Sequence, residues 1–351
     1  MIKKLRIFLC LMLALVVGAV SAACGSNPVT PNIPPDPGTT PGNNKPAYSY
    51  TSPISVYMPD GAPALGLAKL MNDDNKLGKT DLTYTVVTAS AIGDYVRDKS
   101  ATVAVMPVNA ASLLCGKGDA YKMAAVLTHG NLFVIGKGEA AKLEDLKGSV
   151  VEVVNINNVP GLTFMSLLKG ANIDYVVGDK EDAPDPGKVT LAGNNGGTEI
   201  AVAIKAGHYV VAPEPAVSNV TKKTGAKINM NLQTLWNDED GKSGYPQAVL
   251  MVKNDLLRDE AFMTALYAAL EESAEWVKTN GAAAATAVGN HFIEGGQTSL
   301  NGAALTEAAV TGCNIRVQKS ADAKSQVNDY IAKIRTIREN AASVVSDAFF
   351  A

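Results

Sequence analysis

The sequence predicts an α/β fold with parallel strand pairing, long enough for two lobes. Two observations carry this. Short apolar runs rich in Val, Ile and Leu alternate with segments whose apolar residues recur at helical spacing. The chain has 351 residues, 47% apolar and 19% charged, which supplies a real core and excludes a wholly disordered chain. Strands that alternate with helices pair in parallel, because each helix carries the chain back along the sheet.

The chain opens with Lys3, Lys4 and Arg6, a mostly apolar stretch over 7–20, and the small residues Ser21, Ala22 and Ala23 before Cys24. The apolar stretch is shorter than the ~20 residues of a spanning helix, so 1–23 reads as an export signal. A cysteine directly after small residues looks like a bacterial lipobox. Cys24 is then the lipidated new N-terminus, anchored in the bilayer on the extracytoplasmic face of the cell membrane. Ser21 departs from the usual pattern, in which Leu is common, and plain secretion is the alternative. Residues 24–47 form the anchor and a tether: Pro28, Pro31, Pro34, Pro35, Pro37, Pro41 and Pro46 stand among Gly, Asn and Thr. Such a segment buries no apolar surface and stays extended.

The body follows. Residues 54–58 read as a strand, 59–63 as a turn, and Ala64, Leu67, Ala68 and Met71 as a helix with Pro63 at its first position. Strands are expected at 82–87 and 102–106, and helices at 91–99 and 110–114. Two more apolar runs cover 123–127 and 132–135. Residues 143–148 read as a helix end with its Gly stop. Residues 150–154 form a buried strand, 162–169 a helix, 189–191 a strand, 199–206 a helix and 209–212 a strand. Pro213-Glu214-Pro215 leads into another helix, and the polar stretch 236–244 is a surface loop or crossover. A strand at 248–252 precedes helices at 255–278, 282–290, 303–311 and 321–343.

Four strand-to-helix turns stand out: 60–63, 107–109, 157–161 and 195–198. In α/β sheets, ligands bind outside the carboxyl ends of strands, where free N–H groups and helix dipoles favour anionic or carbonyl-bearing groups. Any one such turn is ordinary capping chemistry; four together point to a site. Asp60, Gly61, Ala62 and Pro63 are expected at the site, with Gly61 and Ala62 presenting backbone N–H groups. Asn109 and Thr198 are expected to hydrogen-bond polar ligand atoms, and Asn158, Gly161 and Thr163 are further expected site residues. Glu214 either caps its helix or meets a cationic group. Tyr57 and Phe164 are candidates to stack on a planar ring. His129, in Thr128-His129-Gly130, is a further contact candidate.

Those residues carry a resemblance. The stretch Met58-Pro59-Asp60-Gly61-Ala62-Pro63-Ala64-Leu65-Gly66-Leu67-Ala68 resembles the opening of substrate-binding proteins of ABC importers, most nearly the nitrate/sulfonate/thiamine-precursor type, the NMT1-like group. Val105 to Ala111, Gly130 to Val134, the Asp-Leu-Lys-Gly ending at Gly148, Thr198 through Gly207, Pro213-Glu214-Pro215 and Tyr245-Pro246-Gln247 match in the same order. The tail, with Cys313-Asn314-Ile315 and Asp347-Ala348-Phe349-Phe350, resembles related clostridial-type lipoproteins. The likeness covers roughly 53–350. It implies a type II periplasmic-binding-protein-like fold, with lobe one over 48–134 plus 245–351 and lobe two over 135–244. A small organic or oxyanionic nutrient would be trapped in the cleft and passed to an ABC permease in the membrane, by a monomer without a cofactor. A sensory or surface lipoprotein that signals to a membrane partner is the alternative.

The rest of the inventory argues against other classes. With 31 basic and 34 acidic residues the chain lacks the positive excess that nucleic-acid binding needs. The cysteines form no CxxC pair, and His129, His208 and His291 have no partner at metal-ligand spacing, so no metal site is expected. No GxSxG elbow occurs, and the chain is not expected to be an enzyme. Gly136-Lys137-Gly138-Glu139-Ala140-Ala141 fits GxGxxA, but no acid follows at a strand end about 20 residues on; Glu152 comes too early, inside an apolar run. Cys115 and Cys313 either pair or are small buried apolar residues.

Overall fold

The computed structural model describes residues 48–73, 76–78, 80–236 and 244–351. The expected signal, Cys24, the tether and most of the stretch 236–244 lie outside them. The first lobe begins with β1 (Ile54–Pro59), α1 (Ala62–Leu65), α2 (Ala68–Asn72), β2 (Lys76–Leu77), β3 (Thr80–Val87), α3 (Ile92–Arg97), β4 (Val103–Pro107), α4 (Val108–Cys115) and β5 (Tyr121–His129). The second contains β6 (Leu132–Gly136), β7 (Val150–Val154), α5 (Val159–Gly170), β8 (Tyr175–Val177), β9 (Val189–Asn194), α6 (Thr198–Ala206), β10 (Tyr209–Pro213), α7 (Ala216–Thr224), β11 (Lys227–Asn231) and α8 (Leu232–Leu235). The chain then returns with β12 (Pro246–Lys253), α9 (Asn254–Leu257), α10 (Glu260–Thr279), α11 (Gly281–Asn290), α12 (Glu307–Gly312), β13 (Ile315–Lys319) and α13 (Ser320–Arg335).

The strands form two sheets, ordered β13-β5-β12-β4-β1-β3-β2 and β11-β6-β10-β7-β9-β8. In each, the central strands are parallel: β1 lies between β3 and β4, and β7 between β9 and β10. Parallel strands must be covered on both faces, and β4 and β7 are accordingly near-continuous apolar runs. This is the expected α/β, type II periplasmic-binding-protein-like architecture. The crossover strands depart from parallel pairing, since β12 runs antiparallel to β4 and β5, and β6 antiparallel to β10 and β11.

Several expectations shift. The first crossover falls at Gly130-Asn131, so 132–134 belong to the second sheet rather than to lobe one. The helix expected over 255–278 is two helices, because the Asp259 carboxylate accepts the Phe262 N–H at 2.9 Å and starts a new one. Thr306 likewise caps α12, which begins at Glu307 rather than at 303. The last helix stops at Arg335, whose guanidinium donates to the carbonyls of Glu339 and Ala342 and folds the tail back. Residues 315–319 form a strand on β5 that the sequence did not announce. The GxGxxA segment opens no α-helix; it runs into one 3₁₀ turn at Leu143–Leu146.

Candidate functional site

A cavity of about 540 Å³ lies between the two sheets. Its walls are turns at the carboxyl ends of parallel strands. From the first lobe come Asp60, Gly61, Ala62 and Pro63 after β1, and Pro107 at the end of β4. From the second come Asn155 and Asn158 after β7, Asn195 to Thr198 after β9, and Glu214 to Ala216 after β10. The crossover residues Asn131 and Gln247 complete it. A groove of about 650 Å³ around Lys122 and Tyr267 draws on the first lobe alone.

Local hydrogen bonds fix these turns. Both oxygens of Asp60 are engaged: one accepts the Thr298 hydroxyl at 2.6 Å, the other the Ser299 N–H and O–H at 2.7 and 2.6 Å. Asp60 thereby holds Ser299 at the cavity, and Asn301 beyond it donates to Asn219 of α7 at 3.3 Å, across to the other lobe. Glu214 resolves as a cap. Its carboxylate accepts the Ser218 N–H at 3.0 Å and O–H at 2.7 Å, and burial pushes its pKa up against those bonds. Asn131 locks the crossover to the same turn, accepting the Glu214 N–H and donating to the Glu214 carbonyl at 3.0 Å. The Gln247 side chain accepts the Asn131 N–H at 3.2 Å.

Charge in the cavity is uneven. The carboxylates of Asp60 and Glu214 are taken up by their own donors. Glu199 in the first turn of α6 is likewise held by Asn195, through its N–H and its side chain. The first turn of α5 carries no acidic residue and no side-chain cap. Lys223 is the one cation among the described lining residues. The site therefore offers an exposed ammonium and helix N-termini to an anionic group.

Seven of the expected residues line the cavity: Asp60, Gly61, Ala62, Pro63, Asn158, Thr198 and Glu214. Five do not. The Tyr57 ring stacks on Tyr95 with centroids 4.4 Å apart. Asn109 is buried beneath the folded-back tail, donating to the Ala341 carbonyl at 3.3 Å, while Ser112 on the same helix accepts the Ser343 N–H. His129 is fully buried, and burial first and the Arg316 charge second pull its pKa from 6.5 to about 3. Gly161 serves packing: a Cβ there would lie 1.8 Å from the Ile156 carbonyl oxygen. Thr163 is fully buried and pairs with the Tyr330 hydroxyl at 2.8 Å. Phe164 is core.

Sequence reasoning missed Asn131, Asn155, Asn219, Lys223, Gln247 and Ser299 as lining residues. A signal existed for part of this set. Ala216, Asn219, Val220 and Lys223 recur at i, i+3, i+4 and i+7 and form one face of α7. Asn131, Gln247 and Ser299 arrive through the crossovers and a long loop, which no local pattern marks. Elsewhere, Cys115 and Cys313 are both buried and free, and burial raises the Cys115 thiol to about 11. His291 ends α11 with Nδ1 2.7 Å from the Ala287 carbonyl.

No family model and no curated protein matches the chain. Solved structures do. An ABC transporter protein from Parabacteroides distasonis is 19% identical, with 86% of this chain and 99% of that one covered and a TM-score of 0.68. The periplasmic aliphatic sulphonate binding protein SsuA from Escherichia coli is 10% identical over 83% and 88%, TM-score 0.60. The alkanesulfonate-binding protein SsuA from Xanthomonas axonopodis pv. citri, bound to MOPS, is 13% identical over 85% and 98%, TM-score 0.56. At these identities the likeness shows a shared fold.

Proposed function

We propose that the chain is an extracytoplasmic solute-binding protein that captures a small organic or oxyanionic nutrient for an ABC importer. The observation that carries this is the cavity between the lobes, walled by strand-to-helix turns from both and lined by one free ammonium. The structural neighbours that bind sulfonates support the same reading. Among the described lining residues there is no aromatic ring; the apolar walls are Ala, Val, Ile and Pro. They suit an aliphatic ligand with an anionic head better than a stacked planar ring. Cys24 holds the protein to the membrane and the proline-rich tether lets the body reach a permease. The protein binds and releases its ligand unchanged.

Thermal-shift measurements on the chain lacking only its signal segment test this. The panel is MOPS, alkanesulfonates, nitrate, amino acids and thiamine precursors. A ligand at 100 times its Kd adds about 2.7 kcal/mol of stability, which is readily seen as a raised Tm. Stabilisation by a non-aromatic oxyanion, lost in Lys223→Gln, is the expected result. No shift across the panel, or a shift with thiamine precursors alone, overturns the reading.

A further inference from the structure

We propose that Glu152 is a positioning residue for the candidate cavity, holding its glycine turn from beneath α6. The proposal rests on the cavity being the binding site. Glu152 lies in the central strand β7 and is only 3% exposed. Val151 and Val153 pack in the large core, while Val154 packs with Ile200, Ala203 and Ile204 of α6. Side chains alternate along a strand, so Glu152 shares the Val154 face, under α6. The fold asks for an apolar residue there, and an ionised carboxylate carries a large desolvation penalty.

Its partners give it a use. One carboxylate oxygen lies 2.8 Å from Nδ1 of His208, which follows α6 at the start of β10. The other accepts the Asn194 side-chain N–H at 2.9 Å. Asn194, itself 3% exposed, then holds two of the cavity turns of the second lobe, those after β7 and β9. Its side-chain oxygen accepts the Gly196 N–H at 2.7 Å, and its backbone carbonyl accepts the Asn155 N–H at 3.1 Å. Gly196 and Gly197 sit at φ +81° and +58°, a stretch with no side chain to pack and so dependent on such bonds. Glu152 orients the amide of Asn194 so that its oxygen faces Gly196, and Asn155, Asn195, Gly196, Gly197 and Thr198 keep their places around the cavity.

Amide hydrogen exchange reads this without a ligand. Glu152→Gln keeps an acceptor for Asn194, whereas Glu152→Met removes it at similar volume. In the Met variant, exchange over 195–198 should quicken by about tenfold or more, with β7 and β9 amides unchanged; in the Gln variant it should stay within about twofold. With MOPS as probe, affinity should follow the same split. If Glu152→Met fails to fold, Glu152→Met combined with His208→Phe removes the stranded partner and carries the test. Unchanged exchange over 195–198 in a folded Met variant overturns the proposal, as does equal acceleration of all second-lobe strands. Failure of wild-type protein to bind MOPS bears on the ligand reading and leaves the exchange result to decide this one.

Discussion

His129 offers a quantitative test of how the crossover is built. Its ring is fully buried where β5 leaves the first sheet, and its backbone N–H donates to the Asn314 carbonyl at 3.0 Å. Burial, with Arg316 second, sets its folded pKa at about 3, against about 6.5 in an unfolded chain. The folded pKa is the lower one. Its stability contribution is therefore complete above about pH 6.5 and is lost as pH falls towards 3. In that window the unfolded chain carries one more proton, and stability drops by about 1.4 kcal/mol per pH unit. Between pH 7 and pH 5 this amounts to about 2 kcal/mol. His129→Leu removes the titration and leaves every other acid-sensitive group in place. Urea unfolding of both proteins at pH 7, 6 and 5 should show the wild-type advantage shrinking by that amount. Parallel stability curves would refute the assignment of a buried neutral imidazole.

Other substitutions separate packing from binding. Gly161→Ala should destabilise by about 2 kcal/mol or more, because its Cβ meets the Ile156 carbonyl; chemical denaturation measures it, and an unchanged midpoint contradicts the packing role. Thr163→Val and Tyr330→Phe should each cost about 1–3 kcal/mol singly, and the pair less than their sum, because each single change strands a buried hydroxyl. Asp60→Ala should release the Ser299 loop; proteolytic nicking near 298–301 would quicken, and ligand dissociation with it. Wild-type nicking rates in that variant would show that the three bonds at Asp60 do not hold the loop.

The architecture was largely legible because it is written in local periodicity. The apolar run over 150–154 and the turn after it become β7 and the mouth of α5, and the run Asn195-Gly196-Gly197-Thr198 becomes a cavity wall. The Pro213-Glu214-Pro215 turn also lands where strand order places it. Each depends on residues within one strand-turn-helix unit, so sequence carries the whole signal. Asn109 shows the limit: its turn has the same local character, but the tail folds back from Arg335 and covers it. Gly161 and Thr163 looked like ligand contacts and instead accommodate Ile156 and Tyr330.

By itself, the sequence determined most of the helices and central strands, the α/β class and the strand ends able to face a ligand, because those follow from spacing, capping and turn chemistry over a few residues. Only the tertiary structure decided which turns share a cavity. It also brought Lys223 and Asn131 to that cavity, buried His129 and placed Glu152 beneath α6. Those outcomes depend on contacts between residues far apart in the chain, set by sheet order and the two crossovers, which no local pattern encodes.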